Sequence, residues 1–370
     1  AGAGGGNRME IAQKMARVER VDLERRTVKV VGEEGGGKET LAYDRLVLAV
    51  GKVPVAAPVA APMGSVVVSF GSAESARALR DAAAMLRARA GTKRKVVVVG
   101  TNFVGVEVSL AVRELVGRSV DVTIVGPSEV LAVAKEDFNK ESARMALRDA
   151  RVATVVGFRV ENIIPLPTRG PEGGARLLCI DKKGKSQVID CDLVVWAAGL
   201  RPNPLTASLG DVMRPVRGDG RLLTDSSLFI RRESTGVADP AVLALGDCAA
   251  ITDSSSGAID LPTAQAALQQ SEYAAWNLRA SLLREFAPNA PEVTRKPLAY
   301  RYQDLGEIVY LGPDNASVST LGGAVQLRGP AAAVMRRGIY AARMPLIEQI
   351  VDTGTGVVED TLSRLFPGFL

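Results

Sequence analysis

Between Lys95 and Asp149 the apolar residues fall first in an unbroken run, then at helical spacing, then in a second run and again at helical spacing. VVVV at 96–99 has no polar residue to alternate with, the mark of a strand covered on both faces. The pattern predicts a strand at 95–99, a helix over 103–116, a strand at Val120–Val125, a helix over Glu136–Asp149 and a strand in VATVVG at 152–157. That succession is a βαβ arrangement with a parallel sheet. Upstream, ARVERVDLERRTVKVV (Ala16–Val31) alternates like a hairpin, and GEEGGGKET (Gly32–Thr40) is a flexible loop. YDRLVLAV (Tyr43–Val50) is a buried strand ending at Gly51. VPVAAPVAAPMG (Val53–Gly64) keeps neither period and is a connector. Ser72–Ala90 is a helix with Ser72 placed to cap it. Downstream, Arg176–Asp190 resembles a hairpin, and DLVVWAAG (192–199) and AVLALGDCA (241–249) are buried strands. A helix over 263–284, a strand pair near 300–328 and helices at 330–342 and 346–366 complete the chain. The segments flanking the βαβ unit have to pair with each other across it.

Composition narrows the chemistry. With 370 residues, 47% hydrophobic and 24% charged, the chain has ordinary globular composition and room for two domains or one large one. The net charge of +5 comes without a dense basic cluster, so no nucleic-acid partner is expected, and anionic lipid or phosphate is the mild preference. No apolar run is long enough to span a bilayer. Histidine is absent, which removes Ser-His-Asp and Cys-His nucleophiles and most transition-metal sites; no metal is expected. Cys179, Cys191 and Cys248 form neither C-x-x-C nor C-x-x-x-x-C, so no redox dithiol is indicated, and their scatter fits a reducing compartment. AGAGGG at the start, without Met, has the look of a processed or trimmed product lacking a recognisable targeting peptide.

KVVVVGTNFVGVEVS (Lys95–Ser109) joins strand, glycine turn and helix. Gly100 permits the tight turn, Gly105 lets the helix approach the strand, and Phe103 opens the helix whose amides face a pyrophosphate. Asn102 holds the place of the second glycine of G-x-G-x-x-G, which requires its Cβ to clear the phosphates; asparagine tolerates unusual φ. Val125-Gly126-Pro127-Ser128 stands where an NAD site ends its second strand in an acid, and Glu129 falls late. The choice between NADH and NADPH is therefore open, with Ser128 available to a 2′-phosphate. LALGDCA brings Gly246 and Asp247 to the end of a strand, where the aspartate suits a ribityl hydroxyl of a flavin. LVLAVG and VVWAAG end at Gly51 and Gly199 and mark crossings between nucleotide domains.

The ordered set YDRLVLAVG, VVVVGTNFVGVE, LVVWAAGLRPNP, LALGDCA and PTAQAALQQ resembles the two-dinucleotide flavoprotein reductases. Within them, PTAQAALQQSEYAAWNL (262–278) resembles the type II NAD(P)H:quinone oxidoreductases. YRYQDLGEIVYLG (300–312) and the final helices resemble their plant chloroplast C1 branch, and the likeness runs over roughly 16–370. It implies an α/β fold of two Rossmann-like units, the NAD(P) unit inserted into the FAD unit, with a C-terminal helical membrane-facing segment. The expected parts are 1–91 as a remnant of the FAD-binding domain, 92–199 as the inserted NAD(P)H-binding domain, 200–299 as the second part of the FAD domain, and 300–370 for membrane or dimer contact.

The resemblance also implies FAD and NAD(P)H as cofactors, a plastoquinone-like quinone as acceptor, and a hydride passing from NAD(P)H to FAD without proton pumping. Ala264, Gln265 and Gln269 match the helix start that lies against the isoalloxazine and the quinone pocket. Glu107 matches a glutamate near nicotinamide and flavin; without the resemblance it reads equally as a surface or capping glutamate, and the two glutamines read as solvent-facing helix residues. Arg336, Arg337 and Arg343 interleave with Ile339, Tyr340, Met344, Leu346 and later apolar residues, which suits an amphipathic pair on a membrane or at a homodimer contact. The implied location is the thylakoid or plastoglobule surface of the chloroplast, with the mitochondrial inner membrane as runner-up. The chain departs from the family in one respect: no first G-x-G-x-x-G unit for the ADP half of FAD precedes Tyr43. A flavin reductase with another acceptor, or a non-catalytic assembly subunit, are the alternatives.

Overall fold

The computed structural model describes residues 11–32, 36–60, 66–88, 94–167, 173–214, 220–251, 262–290 and 296–343. The expected helix at 346–366 lies outside them. In chain order the elements open with β1 (Ala16–Asp22), β2 (Thr27–Gly32), β3 (Lys38–Ala42), β4 (Leu46–Leu48) and β5 (Lys52–Pro54). There follow β6 (Val67–Ser69), α1 (Ala73–Ala88), β7 (Arg94–Val99), α2 (Phe103–Val116), β8 (Val120–Gly126), α3 (Asp137–Asp149) and β9 (Val152–Val156). Next come β10 (Phe158–Leu166), β11 (Gly174–Asp181), β12 (Ser186–Cys191), β13 (Leu193–Trp196), β14 (Leu200–Pro202) and α4 (Pro204–Ser208). The remainder is β15 (Leu222–Thr224), β16 (Phe229–Arg231), β17 (Ala238–Ala244), β18 (Ala249–Ile251), α5 (Ala264–Phe286), β19 (Glu307–Gly312), β20 (Asn315–Thr320), β21 (Val325–Gly329) and α6 (Pro330–Ala342). The chain divides into two compact units, one of Ala1–Val53 with Arg201–Gln303, the other of Pro54–Leu200 with Asp304–Leu370.

The second unit is built on a parallel sheet of order β6-β13-β7-β8-β9. Its central strand has no polar face because it has no exposed face. Val96 and Val98 pack among α1, α2 and α3, while Val97 and Val99 pack against the antiparallel sheet β10-β11-β12 with Ile163, Leu177 and Trp196. On the far side of the helices, Val309 and Leu311 of β19 enter the same core, and α6 closes the β19-β20-β21 sheet by setting Ala332 and Ala333 on Ala316 and Val318. This unit corrects three expectations. It starts before 92, because β6 adds to the parallel sheet beside β13 and α1 puts Leu79, Ala83 and Leu86 into its core. The 176–190 hairpin gains a third strand, β10, and the pair near 300–328 is three strands beginning at Glu307. β6 has only three residues, and β10 loses its alternation at a bulge between Val160 and Asn162, so periodicity finds neither.

In the first unit β4 pairs in parallel with β17, Val47 opposite Leu243, which is the pairing required across the inserted segment. The buried strand expected over Tyr43–Val50 is hydrogen-bonded as a strand only at Leu46–Leu48. The sheet order is β18-β15-β16-β17-β4, with β16 antiparallel to both neighbours, so this sheet is mixed. One face packs Leu228, Phe229, Leu243 and Tyr300 with Ala274 of α5; the other packs Leu48, Ile230 and Val242 with Val21 of β1 and Val28 of β2.

Candidate functional site

In the second unit the turn after β7 carries the dinucleotide geometry. Gly100 has φ +126°, and a Cβ there would overlap the Ala197 carbonyl oxygen, so only glycine fits where β13 runs past. A Cβ at Gly105 would overlap the carbonyl oxygen of Gly100 itself, which is how closely α2 approaches the strand end. Asn102 has an ordinary extended backbone, φ −79°, so its tolerance of unusual φ is not what is used. Its Oδ1 accepts from the Gly105 amide at 2.9 Å and caps the helix. The amides of Phe103 and Val104 lie at the head of α2, where its dipole favours an anion. Gly199, whose carbonyl accepts from the Val55 amide at 3.1 Å, follows Ala197 and Ala198, which pass beside Gly100. These residues fit the pyrophosphate of a dinucleotide.

Glu107 is on α2 two residues past Gly105. Its Oε1 accepts from the Tyr310 amide of β19 at 2.9 Å. Burial raises its pKa, while that hydrogen bond and the nearby Arg336 guanidinium oppose the rise. A carboxyl with a raised pKa holds its proton more tightly than a surface glutamate does.

In the first unit Gly246 follows β17 with φ +69° and starts a single 3-10 turn through Cys248. Its amide donates to Oε1 of Gln270 at 2.7 Å, tying the turn to α5. Asp247 is half-buried, and no hydrogen bond from a described residue reaches its carboxylate. A half-buried acceptor of this kind fits a ribityl hydroxyl. The Cys248 sulfur donates to the Leu48 carbonyl at 3.3 Å, and burial raises its pKa even though the amides of Val50 and Gly51 face it. Cys179 is likewise pushed up to about 11 by burial, and all three cysteines are buried and outside any disulfide. At Gly51 the space a side chain would take is open, which leaves the backbone there accessible.

Helix α5 begins at Ala264, exposed, behind a Thr263 cap that accepts from the Ala266 amide at 3.1 Å. The amides of Ala264 and Gln265 head the helix. Gln265 accepts a hydrogen bond from the Tyr302 hydroxyl. Gln269 gives both ends of its amide to one residue: Nε2 donates to the Gln303 carbonyl at 2.8 Å and Oε1 accepts from the Gln303 amide at 2.9 Å. The structure therefore places Gln269 as a backbone clamp. Gln270, absent from the residues singled out in the sequence, makes the contact to the Gly246 turn. Its signal was the spacing of Ala266, Gln270, Ala274, Asn277 and Ser281, the buried stripe of α5.

Known proteins bear on this geometry. The chain matches the pyridine nucleotide-disulphide oxidoreductase family over residues 6–271. It is 29% identical over 343 residues to demethylphylloquinone reductase NdbB of Synechocystis sp., covering 92% of this chain and 76% of that protein. It is 28% identical over 328 residues to the alternative NAD(P)H-ubiquinone oxidoreductase C1, chloroplastic/mitochondrial, of Arabidopsis thaliana, covering 85% of this chain and 58% of that one. Of this Arabidopsis relative the chain thus spans little more than half the length. The structure of NDH2 from Plasmodium falciparum in complex with NADH superposes with a TM-score of 0.72 at 12% identity, over 95% of this chain and 83% of that one, a likeness of fold. A glycine turn with its capped helix, a second glycine turn held by α5, and a family match across both make this chain a member of the pyridine nucleotide-disulphide oxidoreductase family.

Proposed function

We propose that the protein is an FAD-dependent, type II NAD(P)H:quinone oxidoreductase acting on a plastoquinone-like quinone. The observation that carries the reading is the pair of glycine-centred strand ends in one chain, Gly100–Gly105 for the pyridine nucleotide and Gly246–Asp247 for the flavin. Quinone as acceptor is supported by the names of the two relatives. FAD, when bound, relays the two electrons of a hydride to the acceptor. The chain binds and orients. Phe103 and Val104 amides hold the pyrophosphate, Asp247 accepts from a ribityl hydroxyl, and the first amides of α5 offer positive potential to reduced flavin. Glu107, on the helix that follows Gly105, is the carboxyl on the nucleotide side. Gln265 and Gln269 act through Tyr302 and Gln303, which they hold in place.

The two hydrogen bonds that tie the Gln269 amide to the Gln303 backbone favour one second reading, a flavin reductase with another acceptor in which the glutamines are structural. Oxidation of NADH or NADPH by the FAD-loaded protein, measured with and without a soluble quinone analogue, separates the two. Quinone-dependent turnover is expected; oxidation that ignores quinone supports the second reading, and no oxidation at all sinks both. We place the protein at a thylakoid or plastoglobule surface, with the mitochondrial inner membrane second. Among the described residues no helix is long and apolar enough to cross a membrane. Exposed Val334 and Tyr340 beside Arg336 on α6 suit a peripheral contact.

A further inference from the structure

The end of β8 carries an arrangement that bears on which nucleotide is accepted. In a βαβ dinucleotide site the last residue of the second strand supplies the carboxylate that binds the ribose 2′-hydroxyl and repels a 2′-phosphate. That residue is Gly126. A Cβ built there would stand 2.6 Å from Oγ1 and 2.7 Å from Cγ2 of Thr101. Thr101 cannot swing aside. It is buried, β-branched and bonded from both ends: its Oγ1 donates to the Ser128 carbonyl at 3.0 Å, and its carbonyl accepts from the Leu131 amide at 2.8 Å. The same contacts pin the loop that follows the strand, where Leu131 is buried with φ +55°. The next acid, Glu129, is exposed and lines a cavity of about 560 Å³ off the edge strand β9, shared with Arg144, Arg148 and Arg151. Arg148 pairs with Asp149, which leaves Arg144 and Arg151 against Glu129, a basic balance at that wall.

We propose that Thr101 and Gly126 together set nucleotide preference: the threonine occupies the space of the discriminating side chain, and the site accepts a 2′-phosphorylated dinucleotide at least as well as its unphosphorylated form. This rests on the assignment of the Gly100–Gly105 turn to a dinucleotide, but not on quinone as acceptor. The test is calorimetric titration of the protein with ADP-ribose and with 2′-phospho-ADP-ribose, neither of which needs flavin or quinone for its signal. The phosphorylated ligand is expected to bind as tightly as, or more tightly than, ADP-ribose. Tighter binding of ADP-ribose overturns the proposal, and binding of neither overturns the dinucleotide site with it. The double variant Thr101→Gly with Gly126→Asp makes room for a carboxylate and is expected to move the ratio about tenfold towards ADP-ribose, by like-charge repulsion of the 2′-phosphate. A folded double variant with an unchanged ratio removes these two residues from the role, and if it does not fold the wild-type ratio still decides. Loss of quinone reductase activity with the expected ratio intact leaves this inference standing and fails only the acceptor.

Discussion

At Glu107 one carboxylate joins α2 to the first strand of the C-terminal sheet while burial raises its pKa. The sign of the resulting pH dependence follows by linkage. A folded-state pKa raised above the unfolded value means the native state binds the proton more tightly. Its contribution to stability is therefore greatest in acid and is lost as pH rises from the unfolded value through the folded one. Glu107→Gln keeps an oxygen for the Tyr310 amide and removes the buried charge. Thermal melts against pH are expected to show the variant at or above wild type at neutral pH, with the gap closing as pH falls through the carboxylate range. A wild type that is more stable at pH 7 contradicts burial as the dominant influence on this carboxyl. Gln269 and Gln270 make a related point about reading single residues. They are adjacent and identical in chemistry, yet one clamps the Gln303 backbone and the other turns inward to the Gly246 amide. Only the rotation of α5 tells them apart.

At the scale of the element, α2 is the easiest part of the chain to read and its cap the least obvious. The helix lies over Phe103–Val116, the range that periodicity predicts, because Gly105, Val106, Val112 and Val116 repeat on one face and are buried. Asn102 stands in a glycine's place along the fingerprint, yet it satisfies the Gly105 amide and leaves the two amides before it for the ligand. Asn102→Ala is expected to destabilise the second unit by about 1 kcal/mol, the usual cost of losing such a cap. Denaturant unfolding measures this; an unchanged midpoint means the amide finds another acceptor. Gly105 tolerates no such trimming in reverse, since any side chain there meets the Gly100 carbonyl.

At the scale of the whole molecule, each unit is assembled from two separate stretches of chain. For the second, this makes β19 a structural necessity: Val309 and Leu311 are buried in the core shared with α2 and α3, each burial being worth about 1.5–3 kcal/mol. A chain ending at Gln303 is expected to melt well below the longer chain and to bind a hydrophobic dye, because that helix face is left in water. Equal melting temperatures would show that the C-terminal strands contribute nothing to this core. The sequence by itself determined the βαβ succession and the two glycine strand ends, because these depend on local periodicity and on residues that only one backbone geometry accommodates; the cofactor classes came only through the resemblance to a family. Tertiary structure alone decided that 54–91 belongs with the inserted unit, that Glu107 faces β19, that Gln269 is a clamp, and that Thr101 fills the space beside Gly126. Each of these is a contact between residues far apart in the chain or on either side of a turn. No pattern along the chain records which two surfaces meet; that depends on how sheets and helices stack to exclude water.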